Sequence, residues 1–409
     1  MGVTSSNPDF AAALARSSSV KAVAPAVKFS VPDPVATTEA NNGGTYSPPG
    51  PDPQPMPDSL GREQWDKMRM NATLTGSYAV QQGRKDVRVF VIDTGADQTH
   101  PDVAPNLDVA ESRSFVPTEP TIQDFNGHGT WTISAVGAPI NTIGISGVAP
   151  NVTLVAGKVL GADGSGEFLY TDLALIYAGQ QHFDIVSASL GGYIPTCGSA
   201  TNPNGCDHAD YILLQRATQF ARSNGVLPIA ALGNDGYDLS DGKFFRDYVE
   251  APGEIAGWVG VSATGYYNEK SFYSNYGVGK TDVSAPGGST RNYTGVPGSE
   301  VAPGYGGAGR LIGAWSSTAS EAPAEPFEEC TGPGGTPPCA LYGYVQGTSM
   351  ATPNAAGVAA LIISQYGDFS SSNPNKPLST GVIIRSPSRT LRPDSGRTIP
   401  FGRPVVPEL

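Results

Sequence analysis

The sequence of 409 residues has little positive charge and no long apolar run. Its 25 Lys and Arg residues face 37 Asp and Glu residues, so the formal net charge is −12. This balance argues against nucleic acid or an anionic membrane as the main partner. No apolar stretch approaches the roughly 20 residues that cross a bilayer. We therefore expect a soluble protein that acts without nucleic acid or membrane.

Cysteine and histidine are also scarce, with four residues of each. The cysteines form two close pairs, Cys197 with Cys206 and Cys330 with Cys339, among Gly, Pro, Asn and Thr. A zinc site would need C-x-x-C spacings or nearby histidines, and only His208 is near. Two local disulfides are favoured over zinc, which indicates an oxidising compartment. No signal peptide opens the chain, so we expect a secreted protein without its leader.

Short β-branched runs alternate with helical patterns beyond Trp65. The runs are continuously apolar, as parallel strands covered on both faces require; they span 87–93, 152–160, 184–190, 226–232 and 258–264. Helices are expected at 169–182, 208–224 and 348–366. The alternation predicts a three-layer α/β fold, with a doubly wound, mostly parallel sheet and helices on both faces. The segment 287–344 has a loop-rich composition.

Composition also divides the chain. Residues 1–30 hold a short helical piece, and residues 31–60 are rich in Pro, Asp, Asn and Gly, which is typical of a linker. We expect a catalytic domain at 61–370 and its carboxy-terminal extension at 371–409.

Four polar residues stand where chemistry is expected. Asp93 ends the first strand, Asn234 follows the fourth, His128 lies in DFNGHGTWT, and Ser349 precedes a helical pattern in GTSMATPNAAG. Functional groups collect at the carboxyl edge of such sheets. Taken singly, each residue is more commonly a turn former or helix cap. Gly347 permits a tight turn, and Pro353 is expected in the first turn of the helix.

Together, Asp-Thr-Gly, His-Gly-Thr and Gly-Thr-Ser-Met-Ala-Thr-Pro resemble the subtilisin-like serine proteases (subtilases, peptidase family S8) in residues and order, from Trp65 to Tyr366. The resemblance implies a secreted endopeptidase with Ser349 as nucleophile, His128 as base, Asp93 as its partner and Asn234 in the oxyanion hole. An α/β-hydrolase esterase would need G-x-S-x-G and the chain order Ser…Asp…His, whereas Ser349 comes last here. A catalytically silent binding protein of the same fold is the second hypothesis, although all four positions are intact.

The resemblance also implies how substrate binds. Protein and peptide substrates would pair with an extended segment and enter an S1 pocket, formed by Ser189, Leu190, Gly191, Ala231, Leu232 and Gly233. Leu232 and Trp131 depart from the family residues. Matching also places Glu250 near the pocket floor and Asp235 near its rim. A preference for Lys or Arg at P1 is one reading, and ordinary surface charges are the other.

The same resemblance implies a structural calcium ion and a propeptide. Asp102, Asn141 and the carbonyl groups of Ile143 and Ile145 are the expected oxygen ligands, with a plain turn as the alternative. Residues 1–30 resemble the tail of an inhibitory propeptide, with a disordered leader remnant as the alternative. Cleavage in the linker would start the mature chain between Val31 and Gly61. We expect a monomer.

Overall fold

The computed structural model describes residues 9–16, 27–30, 56–196, 208–243, 245–266, 268–290, 309–323, 326–332 and 336–369, with single residues 5, 7 and 20. Three predictions fall outside these ranges. They are the Cys197–Cys206 pair, most of the linker and the extension at 371–409.

The three helices predicted at 169–182, 208–224 and 348–366 begin and end within one residue of those positions. Seven α-helices occur among the described residues. They are α1 (Phe10–Ala15), α2 (Trp65–Arg69), α3 (Ser77–Val80), α4 (His128–Gly137), α5 (Phe168–Gln181), α6 (His208–Ser223) and α7 (Thr348–Tyr366). The strands are β1 (Lys28–Ser30), β2 (Arg88–Asp93), β3 (Arg113–Ser114), β4 (Thr153–Lys158), β5 (Ser165–Glu167), β6 (Ile185–Ala188), β7 (Gly192–Pro195), β8 (Leu227–Ala231), β9 (Tyr248–Ala251), β10 (Val259–Thr264), β11 (Val283–Pro286), β12 (Leu311–Trp315), β13 (Pro326–Gly332) and β14 (Thr336–Val345).

Seven strands form the main sheet, in the order β11-β10-β8-β6-β2-β4-β3. Every pairing within it is parallel. The chain goes from β2 to one side and then crosses back over β2 to reach β6. This reversal places a topological switch point at the carboxyl end of β2, where α/β sheets commonly bind ligands.

Alternate residues of β2 pack into two separate hydrophobic cores, one on each face of the sheet. Val89 and Val91 pack with residues of α4 and α7 on one face, whereas Phe90 and Ile92 pack with α5 and α6 on the other. A parallel strand covered on both faces needs apolar residues in succession, which is why its sequence does not alternate. The prediction of a three-layer α/β fold is confirmed.

The prediction of a loop-rich segment at 287–344 was wrong in part. β12, β14 and β13 form an antiparallel sheet, and a disulfide joins Cys330 to Cys339 directly across the β13–β14 pair. Glycine and proline interrupt these strands, so their sequence lacks the continuous apolar run of a buried parallel strand. The position predicted for Pro353 was also wrong, because this residue lies inside α7 and beyond its first turn.

Candidate active site

Asp93 and His128 meet at the carboxyl end of β2. His128 is the first residue of α4, and its Nδ1 lies 2.8 Å from Asp93 Oδ1. The same carboxylate accepts the Thr94 N–H at 2.7 Å and the Thr132 hydroxyl at 3.1 Å. Asp93 is fully buried. A buried carboxylate with this set of donors fixes the imidazole so that Nε2 faces away from Asp93.

Asp124 holds the start of α4 against the end of β2. Its Oδ1 accepts the Thr94 hydroxyl at 2.8 Å and the Gly127 N–H at 2.9 Å, and its Oδ2 accepts the Thr130 N–H at 2.8 Å. Gly127 has φ 106°, and a Cβ there would overlap the Trp315 ring. Asp124 therefore caps the helix that carries His128 and binds the residue after Asp93. The residues D-x-N-G before His128 are a signal of this cap that the sequence analysis did not use.

Ser349 lies in the first turn of α7 and is 1% exposed. Pro353, four residues later, has no N–H to give to the Ser349 carbonyl. The Ser189 hydroxyl, just beyond β6, donates to that carbonyl at 2.7 Å. This bond brings Ser349 to the carboxyl end of the strand next to β2, which is where Asp93 and His128 lie.

Two buried polar atoms at this edge have no hydrogen-bond partner among the described residues. One is His128 Nε2 and the other is Asn234 Nδ2. Asn234 Oδ1 accepts hydrogen bonds from the Thr348 N–H at 2.9 Å and from the Thr348 hydroxyl at 2.8 Å, so the amide nitrogen takes no part in these two contacts. The Ser349 hydroxyl donates to the Ser189 carbonyl at 3.3 Å rather than to the imidazole. The hydrogen bond between a catalytic hydroxyl and its base is commonly long or poorly aligned before substrate binds.

Glu250 lies between the two predicted walls of the S1 pocket. A Cβ on Gly191 would overlap Glu250 Oε1, and one on Gly233 would lie 3.5 Å from Glu250 Cδ. Glu250 is 2% exposed. Burial, and then the negative charges of Asp235 and Glu254, raise the pKa of Glu250 well above its ordinary value.

Aromatic and polar side chains lie beside Glu250. Tyr193 stands opposite Glu250 in the β7–β9 pair and donates its hydroxyl to Asp235 Oδ2 at 2.6 Å. Asn275 Nδ2 donates to the Tyr193 oxygen at 3.0 Å and to the Leu232 carbonyl at 2.8 Å. Sequence reasoning missed Tyr193 and Asn275, because nothing local marks them.

Other predicted pocket residues lie in the surrounding core. Leu190, Ala231 and Leu232 are buried. Trp131 is also buried, and its Nε1 donates to the Gly343 carbonyl at 3.0 Å. Trp131 thus contacts the antiparallel β12–β14 sheet.

Part of the amino-terminal segment lies beside the extended segment at Gly191. β1 pairs antiparallel with β5, and Ser30 forms a bridge with Gly191. The Phe29 ring packs against Phe168 with centroids 4.6 Å apart. Three residues of β1 thus join a strand and an extended loop, as a peptide does when it adds to a sheet edge.

The loop predicted to bind calcium surrounds Asp102. Asp102 Oδ2 accepts the Ile145 N–H at 3.0 Å and the Tyr342 hydroxyl at 2.8 Å, while Oδ1 is buried and makes no hydrogen bond among the described residues. Burial raises the pKa of Asp102 to about 8.

Several other polar groups of that loop form hydrogen bonds. Asn141 Oδ1 accepts the Ile143 N–H at 2.9 Å, and Asp58 Oδ1 accepts the Asn141 N–H at 3.0 Å. Glu329 of β13 accepts the Gly144 N–H at 2.8 Å. Sequence reasoning did not identify Asp58, Glu329 or Tyr342 at this loop, since they come from distant parts of the chain.

Comparison with known proteins identifies the arrangement. A model of the subtilase family of peptidases matches residues 84–387. Subtilisin BL of Lederbergia lenta is 34% identical over 336 residues, which cover 82% of this chain and 91% of that protein. The alkaline protease of Alkalihalobacillus alcalophilus is 33% identical over 336 residues, but this chain spans only 64% of its length.

Solved structures give the same result. The nisin leader peptidase from Lactococcus lactis matches with a TM-score of 0.62 at 25% identity, over 77% of this chain and 87% of that one. A leader peptide processing serine protease from Staphylococcus aureus matches with the same TM-score and identity, over 77% and 73%. The family model matches most of the chain, and the chain covers about nine tenths of subtilisin BL. This chain therefore belongs to the subtilase family.

Proposed function

We propose that this chain is a serine endopeptidase that acts through an acyl-enzyme on Ser349. The observation that carries the proposal is a pair of buried atoms, His128 Nε2 and Asn234 Nδ2, which have no hydrogen-bond partner within the described part of the chain and lie at the edge where α7 presents Ser349. A buried imidazole nitrogen oriented by Asp93 is suited to accept a proton, and a buried amide nitrogen is suited to donate to an oxyanion.

Each side chain has a distinct part in the reaction. Ser349 attacks the scissile carbonyl as His128 Nε2 takes its proton, and the imidazolium then gives that proton to the leaving amine. Asp93 stabilises the imidazolium. Asn234 Nδ2 and the Ser349 N–H, at the positive end of the α7 dipole, bind the oxyanion. Water repeats the sequence to release the acid and restore Ser349.

An active-site label separates this proposal from a silent binding protein. We expect a fluorophosphonate to label Ser349 stoichiometrically and to abolish casein hydrolysis, with Ser349→Ala unlabelled and inactive. Binding of casein without hydrolysis or labelling by the unsubstituted enzyme supports the binding protein instead.

The amino-terminal segment is proposed to be an internal inhibitor. β1 lies on β5 and reaches Gly191, so it covers the groove proposed for the residues that precede the scissile bond. Cleavage in the linker would then free the groove. Mass spectrometry of the active enzyme tests this, because a mature chain that still starts before Lys28 contradicts it.

A basic residue at P1 is the proposed specificity. The buried Glu250 carboxylate, with Asp235 behind it, offers negative charge inside a pocket walled by glycine. A Lys or Arg side chain would relieve the burial of that charge. Narrow specificity suits a processing protease, the kind of activity named for the two leader peptidases.

Calcium at the Asp102 loop is proposed to stabilise the fold without taking part in the reaction. Asp102 Oδ1, buried and unpartnered among the described residues, is the observation in its favour. Asn141 and the Ile143 and Ile145 carbonyls would supply further hard oxygen ligands of the kind calcium prefers.

Secretion and a monomeric state are also proposed. The Cys330–Cys339 disulfide suits an oxidising compartment. None of the described helices is long and apolar enough to cross a membrane. A culture-medium fraction and size-exclusion chromatography with light scattering test the two proposals; cell-bound activity or a dimer mass contradicts them.

A further inference from the structure

Asp172 is a buried acid that the proposed reaction does not use. It lies on α5, is 1% exposed, and neither of its carboxylate oxygens has a hydrogen-bond partner among the described residues. Burial, and then the charge of Asp210, raise its pKa well above the ordinary value. An unpaired buried carboxylate is costly, so a protein that retains one commonly uses it.

Asp172 faces the amino-terminal segment. It stands four residues after Phe168 on α5, so the two side chains lie on one face of the helix. Phe168 packs against Phe29 on that face, and Val27 packs against the same apolar cluster. A chain segment that lies where Val27 and Phe29 lie therefore passes over Asp172.

Asp210 binds the backbone of this segment directly. It lies in the first turn of α6, which packs against α5, and its Oδ2 accepts the Val27 N–H at 3.1 Å. The Val27 carbonyl accepts the Phe168 N–H at 3.1 Å. Both contacts use only main-chain groups of Val27, so any peptide in this position can make them.

We propose that Asp172 and Asp210 form a cation-binding subsite at the amino-terminal end of the peptide groove. Its ligand is an ammonium or guanidinium group of a peptide substrate, from a Lys or Arg side chain or from a free α-amino group. The inference rests on the proposal that β1 occupies the substrate groove. Val27 brings only an N–H to Asp210 and no hydrogen bond to Asp172 among the described residues, whereas a cation in this place would pair with both carboxylates.

A lysine scan of peptide substrates tests the proposal on the full-length enzyme. Internally quenched peptides carry one Lys, moved through successive positions upstream of a fixed scissile bond, each compared with norleucine. A second series compares free with acetylated amino termini at successive lengths, which separates side chain from terminus as the source of charge.

We expect Lys at one position to raise kcat/KM about tenfold over norleucine, or a free amino terminus at one peptide length to raise it about tenfold over the acetylated form. This is the size of effect expected of a charge-assisted contact. Asp172→Asn should reduce that ratio to about twofold or less, because an amide keeps the shape and removes the charge. Asp86 is an exposed acid that precedes the amino-terminal end of β2. Asp86→Asn is therefore the matched control and should keep the tenfold ratio. Flat scans in both series, or a preference that persists in Asp172→Asn, overturn the proposal.

Two further measurements keep the outcome interpretable. Removal of an unpaired buried charge should raise the Tm of Asp172→Asn, so the variant is expected to fold. Binding of the same peptides to Ser349→Ala, by fluorescence polarisation, reads the subsite without catalysis. If the peptides with Lys bind more tightly than those with norleucine but the unsubstituted enzyme hydrolyses none of them, only the protease proposal is contradicted. If the enzyme hydrolyses the peptides but the scans are flat, only the cation-binding subsite is contradicted.

Discussion

The side-chain amide of Asn234 binds α7 through its oxygen, and its nitrogen is proposed to donate to the oxyanion. Its oxygen is held by Thr348, and its nitrogen is buried without a partner among the described residues. For Asn234→Ala we adopt the loss established for the corresponding asparagine of subtilisin, about 10²–10³ in kcat. Steady-state kinetics should show KM nearly unchanged. A loss in kcat below about tenfold contradicts the oxyanion role.

If Glu250 selects a basic P1 residue, as proposed, the P1 preference should depend on pH. The pKa of Glu250 is raised by burial and by neighbouring negative charge, so part of the population is neutral at low pH. Only the ionised form attracts a cation. The ratio of kcat/KM for P1 Lys over P1 Phe should therefore rise with pH as Glu250 loses its proton.

Glu250→Gln should keep the shape of the pocket and make that ratio low and independent of pH. Glu111→Gln is a suitable comparison, since Glu111 is paired with Arg88 at 2.9 Å, at the amino-terminal end of β2 and away from Glu250. A ratio that favours Phe at every pH, or one unaltered in Glu250→Gln, rejects the basic specificity.

At the scale of elements, Asp124 joins β2 to α4. We expect Asp124→Asn to lower kcat about tenfold to a hundredfold with KM within about twofold, because small errors in catalytic geometry are costly. The amide nitrogen would face the Thr130 N–H that Asp124 Oδ2 now accepts. Asp108→Asn makes the same substitution at another aspartate that accepts a backbone N–H, that of Glu111, and should leave kcat unchanged. A lower Tm with kcat per folded enzyme unchanged would indicate a structural role only.

The strand β1 depends on one aromatic contact. Phe29 is 5% exposed and packs on Phe168, so Phe29→Ala should weaken docking by about 2–3 kcal/mol. In the full-length enzyme we expect a lower KM for small peptides, because the groove is open more of the time. Lys28→Ala, at an exposed position, serves as control. An unchanged KM in Phe29→Ala would show that β1 does not compete with substrate.

The sequence could predict some elements and not others, for a physical reason. β2, β4, β6, β8 and β10 are buried on both faces, and that burial is visible as continuous apolar runs. β1 has three residues, and only its contact with β5 and Phe168 makes it a strand. Pro353 resembled a residue of the first turn because a proline there is common. Its actual place is explained by a tertiary contact. Proline cannot donate to the Ser349 carbonyl, and the Ser189 hydroxyl donates to that carbonyl instead.

At the scale of the whole molecule, the residues proposed for catalysis could be located from the sequence because family motifs mark them. Their surroundings could not, since the partners of Asp124, Tyr193, Asn275 and Asp172 include residues far away in sequence. The loop proposed to bind calcium shows the same limit. Its ligands were proposed from a local match, whereas Glu329 and Tyr342 reach it from the β13–β14 pair.

Stability should therefore depend on calcium through Asp102. If the ion binds, a calcium concentration a hundred times Kd adds about 2.7 kcal/mol to the free energy of unfolding. Tm should rise with the logarithm of calcium concentration and fall in EGTA. Asp102→Asn should lose most of this dependence, because it removes the buried carboxylate with a free oxygen. Asp241→Asn, on an exposed turn, should retain it. If Tm in EGTA equals Tm in calcium for the unsubstituted enzyme, the loop is held by Asp58, Glu329 and Tyr342 alone.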